Sequence, residues 1–274
     1  MPDAAAAALA RLSLNQITTD KYSLKETVDA CARHGIPFIG TWRHKIAEDP
    51  KRAGQLIRDA GLKVSSLCRG GFFPAATEEE RRKRIEDNLR AIDEAVAVGT
   101  DLLVLVCGPA ADRDLCGARN MVIDGIAAIE GYARERGVRL GIEPLHPMFT
   151  ADRSVVVTIA QANDIAERFV SETVGVIVDV FHVWWDPQVY AGIQRAGNRI
   201  LGFHVSDWAV PLPDLLMGRA MMGQGVIELP RLRAAVEEAG YRGPIEVEIF
   251  NKAVWDTPID ELLPVIRDSY LQHV

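Results

Sequence analysis

Short apolar or β-branched runs alternate with longer amphipathic stretches from one end of the chain to the other. Strands are expected at 11–17, 37–42, 63–68, 101–107, 139–143, 174–179, 200–205 and 245–249. Helices are expected at about 23–34, 50–60, 77–99, 119–136, 159–169, 187–196, 229–239 and 259–271. Ser23 followed three residues later by Glu26 reads as a capping box, and Glu78-Glu79-Glu80 suits the positive end of a helix dipole. The Leu-Leu-Val-Leu-Val run at 102–106 is what a strand buried on both faces needs. Strict strand–helix alternation calls for a parallel sheet, and eight units of about 34 residues call for a closed (β/α)8 barrel. An open doubly wound sheet would carry a phosphate-binding glycine loop after its first strand, and Asn15-Gln16-Ile17-Thr18 is not one. Gly223-Gln224-Gly225 precedes a helix but follows a loop, so it is weak evidence for a dinucleotide site. At 274 residues the expectation is one α/β barrel domain spanning 1–274, with its pocket built from the βα loops.

Composition narrows the function classes. Hydrophobic residues make up 48% and charged residues 25%, which disfavours disorder and fibrous repeats. The formal net charge of −7 is a poor basis for general nucleic-acid or anionic-membrane binding. The cysteines at 31, 68, 107 and 116 form no CxxC pair, so reduced thiols in a cytoplasmic protein are expected. Met1-Pro2-Asp3 and the five alanines after it do not read as a signal peptide, and no apolar run is long enough to span a bilayer.

In such a barrel the functional residues sit at the C-terminal ends of the strands. Those ends read Cys68-Arg69-Gly70-Gly71-Phe72-Phe73, Glu143-Pro144-Leu145-His146, Asp179-Val180-Phe181-His182, His204-Val205-Ser206-Asp207-Trp208 and Glu248-Ile249-Phe250. Strands five to eight thus place Glu143, Asp179, His204 and Glu248 at one level. Burying a lone carboxylate is costly unless it is paired, protonated or metal-bound. Three carboxylates and one imidazole at one barrel mouth call for a divalent cation. Mostly oxygen ligands with one nitrogen suit Mn²⁺, Mg²⁺ or Co²⁺ at least as well as Zn²⁺.

Gly141-Ile142-Glu143-Pro144, Val178-Asp179-Val180-Phe181-His182, Phe203-His204-Val205-Ser206-Asp207, Gly223-Gln224-Gly225 and Val247-Glu248 together resemble the sugar phosphate isomerase/epimerase superfamily. These are the xylose-isomerase-like TIM barrels, ketose 3-epimerases and inosose dehydratases among them. The resemblance runs over essentially the whole chain. Order and spacing (36, 25 and 44 residues between successive acidic or histidine positions) make the set specific. It implies that Glu143, Asp179, His204 and Glu248 are metal ligands, that Glu143 and Glu248 move protons, and that His182 and Arg219 contact substrate oxygens. Three departures stand out. Gln224 replaces the acidic residue usual between the two glycines, His146 follows Glu143 by three residues, and the Arg69-Gly70-Gly71-Phe72-Phe73 segment differs from a simple ketose epimerase.

A metal beside two carboxylates suits proton removal α to a carbonyl, with return giving epimerisation or isomerisation of a small carbohydrate. With a β-leaving group the same chemistry gives a lyase, a dehydratase or β-eliminase, and His146 is the candidate acid at the leaving oxygen. Arg69 and Trp42 are further candidates for substrate contact, and one or two of Trp42, Trp184, Trp185, Trp208 and Trp255 are expected to line the pocket. An apurinic-endonuclease-like hydrolase is less favoured, because the early strands offer only His44 toward a multi-zinc site. A non-enzymatic metal-binding subunit is the remaining alternative. Barrel faces of this kind often support a homo-oligomer.

Overall fold

A computed structural model describes residues 2–46 and 48–274; Met1, which opens the alanine-rich start, and Ala47 lie outside it. Eight parallel strands close into a barrel: β1 (Leu12–Asn15), β2 (Phe38–Trp42), β3 (Lys63–Gly71), β4 (Leu102–Val106), β5 (Arg139–Glu143), β6 (Val174–Asp179), β7 (Ile200–Val205) and β8 (Ile245–Val247). Each pairs with its sequence neighbours, and β8 closes on β1 through Leu12 opposite Ile245 and Leu14 opposite Val247. Helices follow the strands around the outside. No described helix is long and apolar enough to cross a membrane.

Period-two alternation explains the layering. Leu103 and Leu105 of β4, Val176 and Val178 of β6, and Ile245 and Val247 of β8 face outward into the main core, where helix residues such as Ile92, Ile126 and Leu263 cover them. Leu102, Val104 and Ile177 face inward with Cys68 and Leu201. Above that inner layer the strand ends turn polar.

Helix starts follow local capping chemistry. Ser23 and Glu26 form the expected capping box, and Thr77 and Glu80 form a second at the helix Glu78–Val98. The helix expected from 119 begins earlier, at Leu115, because the Asp114 carboxylate accepts from Gly117 N at 2.8 Å. The helix expected from 187 begins at Val189, and the one expected to reach 169 ends at Ala166.

Strand ends differ more. The first strand stops at Asn15, whose Oδ1 accepts from Ile17 N at 3.1 Å and turns the chain into a 3-10 helix, Gln16–Thr19. The eighth strand ends at Val247. The third continues past Cys68 to Gly71, so Arg69 lies on a strand and not on a loop. Elements with no sequence signal also appear: the helix Pro2–Leu9, the short helices Val180–Val183 and Lys252–Asp256, and an antiparallel ribbon pairing Asp207–Trp208 with Arg219–Ala220.

Candidate metal centre and active site

Glu143 ends β5, Asp179 ends β6, His204 lies on β7, and Glu248 follows β8. The register brings them to one level. Asp179 stands opposite His204, Glu246 stands opposite His204 on the other side, and Glu248 N donates to Val205 O at 3.0 Å. One ligand atom from each of Glu143, Asp179, His204 and Glu248 lies within 4.8 Å of all the others, and all four residues are buried. Glu143 Oε1 and Glu248 Oε2 are 3.5 and 3.6 Å from the same nitrogen, His204 Nδ1. That nitrogen is buried and has no hydrogen-bond partner.

The electrostatics are unbalanced toward negative charge. Among the described residues Arg219 is the one guanidinium in direct contact: its Nη1 donates to Asp179 Oδ2 at 2.8 Å, to Glu248 Oε2 at 3.3 Å and to the Glu248 carbonyl at 3.1 Å. It sits over the Phe181 and Phe250 rings at 4.6 and 5.3 Å, where cation–π attraction adds to its hold. A fourth carboxylate, Glu246, lies one layer below, with Oε1 3.9 Å from His204 Nε2. Burial pushes the Glu143 carboxyl up to about 7. Burial acts the same way on Glu248, but Arg219 and His204 outweigh it and bring that carboxyl down to about 2. Burial disfavours the His204 cation, yet Glu246, Glu143 and Glu248 together hold it well above the ordinary imidazole value. Three carboxylates around an unpartnered imidazole nitrogen fit a divalent cation by donor chemistry. The orphaned Nδ1 is the group such an ion would satisfy.

His182 is buried at the edge of the cluster. Its Nδ1 accepts from His146 N at 3.2 Å, its Nε2 lies 3.1 Å from Arg219 Nη2, and Asp179 Oδ2 is 3.7 Å from that same Nε2. Burial drives its pKa down to about 3, so the ring is neutral at physiological pH. Both ring nitrogens thus face N–H donors, the His146 backbone at Nδ1 and Arg219 at Nε2. Asp179 is fixed in turn by Phe181 N, which donates to its Oδ1 at 2.9 Å.

The ribbon is what delivers Arg219 to the mouth. The Asp207 carboxylate accepts from the backbone N–H groups of Trp208, Gly223, Gly225 and Ile227 at 2.8–3.0 Å. Gly225 has no room for a side chain, since a Cβ there would lie 2.3 Å from Trp208 O. The glycine motif therefore wraps a carboxylate of its own chain and is not a dinucleotide loop.

A narrow cleft opens above the cluster. Of the residues singled out from sequence, Trp42, Arg69, Glu143, His182, Arg219 and Glu248 line it. Asp179 and His204 lie beneath. His146 does not line the cleft: its ring sits 5.4 Å from Trp185 and 5.0 Å from Trp208, and its Nδ1 accepts from Met148 N. Trp42 is the tryptophan of the lining, oriented by its Nε1 donating to Asn15 Oδ1 at 2.7 Å.

Sequence reasoning passed over Asn15, Glu246 and Arg153. Asn15 Nδ2 donates to Glu246 Oε1 at 2.7 Å and reaches Glu248 Oε1 at 3.2 Å, tying the two acidic layers together. Ser65 and Ser66 also donate to Glu246. Glu246 had a usable signal, since it precedes Glu248 by two, the spacing of one strand face. Arg153, in the turn after β5, had none.

A profile of the xylose isomerase-like TIM barrel family matches residues 28–269. A 3-dehydroshikimate dehydratase of Pseudomonas putida is 27% identical over 84% of this chain; the chain spans about a third of that relative, 36% of its length. An inosose isomerase of Bacillus velezensis is 22% identical over 94% of this chain and 95% of its own. Protein SMc04130 of Sinorhizobium meliloti 1021 has a solved structure that superposes with a TM-score of 0.93 at 46% identity, covering 96% of this chain and 98% of that one. The IOLI protein with a binding zinc atom shares the fold, with a TM-score of 0.82 at 20% identity over 95% of this chain and 96% of its own.

Proposed function

The chain belongs to the xylose isomerase-like TIM barrel family, and from that premise we propose that it is a divalent-metal-dependent isomerase or epimerase of a sugar or keto-sugar. One observation carries the proposal: the ligand atoms of Glu143, Asp179, His204 and Glu248 converge within 4.8 Å around a buried imidazole nitrogen that has no partner. These four residues would hold the ion, with Mn²⁺, Mg²⁺ or Co²⁺ favoured by the oxygen-rich set and Zn²⁺ compatible with it. When bound, the ion supplies Lewis-acid stabilisation of negative charge developing on a substrate oxygen.

The proton transfers belong to the chain itself. Glu143 Oε1 and Glu248 Oε2 lie 3.5 and 3.6 Å from the same His204 nitrogen, so one carboxylate can take the proton α to a carbonyl and the other can return it. Return at the same carbon gives epimerisation, and return at the neighbouring carbon gives aldose–ketose isomerisation. Trp42 offers an aromatic wall to a sugar, while Arg69, Arg219 and His182 offer contacts to substrate oxygens.

A lyase reading is favoured by one finding, the dehydratase among the relatives. It uses the same proton abstraction followed by loss of a β-leaving group. His146 as the acid for that step has to turn out of its place beside Trp185 and Trp208.

Purified protein is expected to hold about one divalent ion per chain. In deuterated water, incorporation of deuterium at carbon in a panel of ketoses and 3-keto-sugars, lost in Glu248→Gln, supports the isomerase or epimerase. An unsaturated keto product points to the lyase, and its loss in His146→Gln assigns the acid. Protein without metal whose behaviour is untouched by chelator and by Glu248→Gln overturns both.

A further inference from the structure

Arg69 and Arg153 line the same cleft as Glu143, Glu248 and Arg219. Two other arginines near this mouth have close acceptors: Arg43 is held by Asp87 and Glu94, and Arg219 by Asp179 and Glu248. Arg69 and Arg153 are not held so. Among the described residues Arg69 makes no side-chain hydrogen bond, and its guanidinium is held below its ordinary pKa by burial first and then by the opposing charge of Arg153. The nearest carboxylate to Arg153 is that of its exposed neighbour Asp152, 3.8 Å from Nε, and Nε itself is buried without a hydrogen-bond partner. Two guanidiniums repel each other at the rim of one cleft, with donors to spare.

Both are also held in place from behind. Arg69 lies on β3, and its guanidinium stacks 4.2 Å from the Phe72 ring. Phe72 has a positive φ of 56°, a conformation costly for a residue with a Cβ. It is kept there by Phe72 N donating to Val106 O at 2.7 Å and by Arg84 Nη1 donating to Phe72 O at 2.6 Å. The Arg153 carbonyl accepts from Gly108 N at 2.9 Å, pinning its turn to the end of β4, and its guanidinium lies 5.7 Å from the Phe149 ring. Backbone strain and aromatic seats fix two positive charges that, among the described residues, have no carboxylate oxygen closer than 3.8 Å.

We infer that Arg69 and Arg153 form an anion subsite, so that the substrate of this centre is a polyol or keto-polyol bearing a carboxylate or a phosphate. The planar guanidinium fork matches either group and binds it through paired charge-assisted hydrogen bonds. The inference rests on the metal-centred reading above for the reacting end of the substrate. It adds the polarity of the far end: the keto-polyol portion faces Glu143 and Glu248, and the anionic group faces the two arginines.

The test is binding measured by calorimetry on the full chain, with and without added Mn²⁺. The probes are shikimate (a carboxylate) and D-ribulose 5-phosphate (a phosphate), with D-fructose as a neutral control. At least one anionic probe is expected to bind tenfold or more tightly than fructose, with the preference weakening as salt rises. The winning probe identifies carboxylate or phosphate as the group read. Arg69→Met and Arg153→Met are each expected to cut the affinity for that probe at least tenfold, well beyond any change in fructose binding, while leaving metal stoichiometry unchanged. Equal affinity for charged and neutral probes, or a preference that survives both substitutions, overturns the subsite. Anion binding lost in both variants but indifferent to metal keeps the subsite and overturns the metal-centred reading.

Discussion

His204 Nδ1 and the carboxylates that face it set the chemistry of proton exchange with a metal. Without the ion, His204 retains its proton against Glu246, Glu143 and Glu248, and Glu143 titrates at about 7. A cation can take its place only as these protons leave. Metal uptake at neutral pH is therefore expected to release about one to two protons per ion, and affinity is expected to fall as pH is lowered. Calorimetry in buffers of different ionisation enthalpy reads this directly, and uptake with no proton release contradicts the ligand set. Arg219 supplies the other residue-scale expectation. Its removal in Arg219→Met leaves Asp179 and Glu248 buried without their cationic partner, which costs about 3–5 kcal/mol in the metal-free protein. It also lets the Glu248 carboxyl rise. A base must be ionised to act, so the acid limb of the pH–rate profile is expected to move to higher pH in the variant, by a unit or more on the scale of such pairings. An unmoved acid limb would separate Glu248 from the proton transfer.

At the level of elements, the device that deserves testing is the clasp that Asp207 makes on the ribbon and glycine loop. Four backbone N–H groups converge on one carboxylate, and Asp207→Asn keeps the size while surrendering the charge and one acceptor oxygen. Each buried donor left unpaired costs about 1–3 kcal/mol. The expected outcome is a loss of stability of that order in urea unfolding, together with a fall in kcat as Arg219 loses its fixed position. The extension of β3 makes a parallel case. Gly71 has φ +100° and a Cβ there would lie 2.0 Å from Val106 O, so Gly71→Ala is expected to destabilise by about 2–4 kcal/mol through strain and overpacking. These elements also show what a sequence hides. The eight strand–helix units were legible because burial on two faces and helix capping write themselves into residue order. Glu143, Asp179, His204 and Glu248 were legible as a set because a closed barrel turns strand ends into neighbours. The Arg69-Gly70-Gly71 segment read as a loop because a Gly-Gly pair usually breaks a strand. Here the Asn88 side chain, seventeen residues away, bonds Gly71 N and O at 2.6 and 2.8 Å and lets pairing with β4 continue. Asn15 was invisible for the same reason: its partners Glu246 and Glu248 come from the barrel's closure, and spacing along the chain carries no trace of it.

For the whole molecule, the placement of the acidic cluster matters more than its composition. Glu143, Asp179, His204 and Glu248 come from four consecutive strands around the barrel, and Asn15 ties the fifth, β1, to Glu246 and Glu248. Uncompensated charge at that point repels strands from one another, so an ion bound there is bonded to the closure of the fold as well as to the chemistry. Any ligand that binds only the folded chain stabilises it by mass action, by about 2.7 kcal/mol at a free concentration a hundredfold above its Kd. For a barrel of this size each kcal/mol shifts the melting temperature by roughly 2–4 °C. Chelation is therefore expected to lower the melting temperature by about 5–10 °C relative to protein in saturating Mn²⁺. Glu248→Gln is expected to abolish most of that difference by weakening the ion's hold. Scanning calorimetry of both proteins with metal and with chelator checks it. A wild-type melting temperature indifferent to chelator would mean that the buried carboxylates are balanced by protons and Arg219 alone, and that the cluster is a structural network in place of a metal centre.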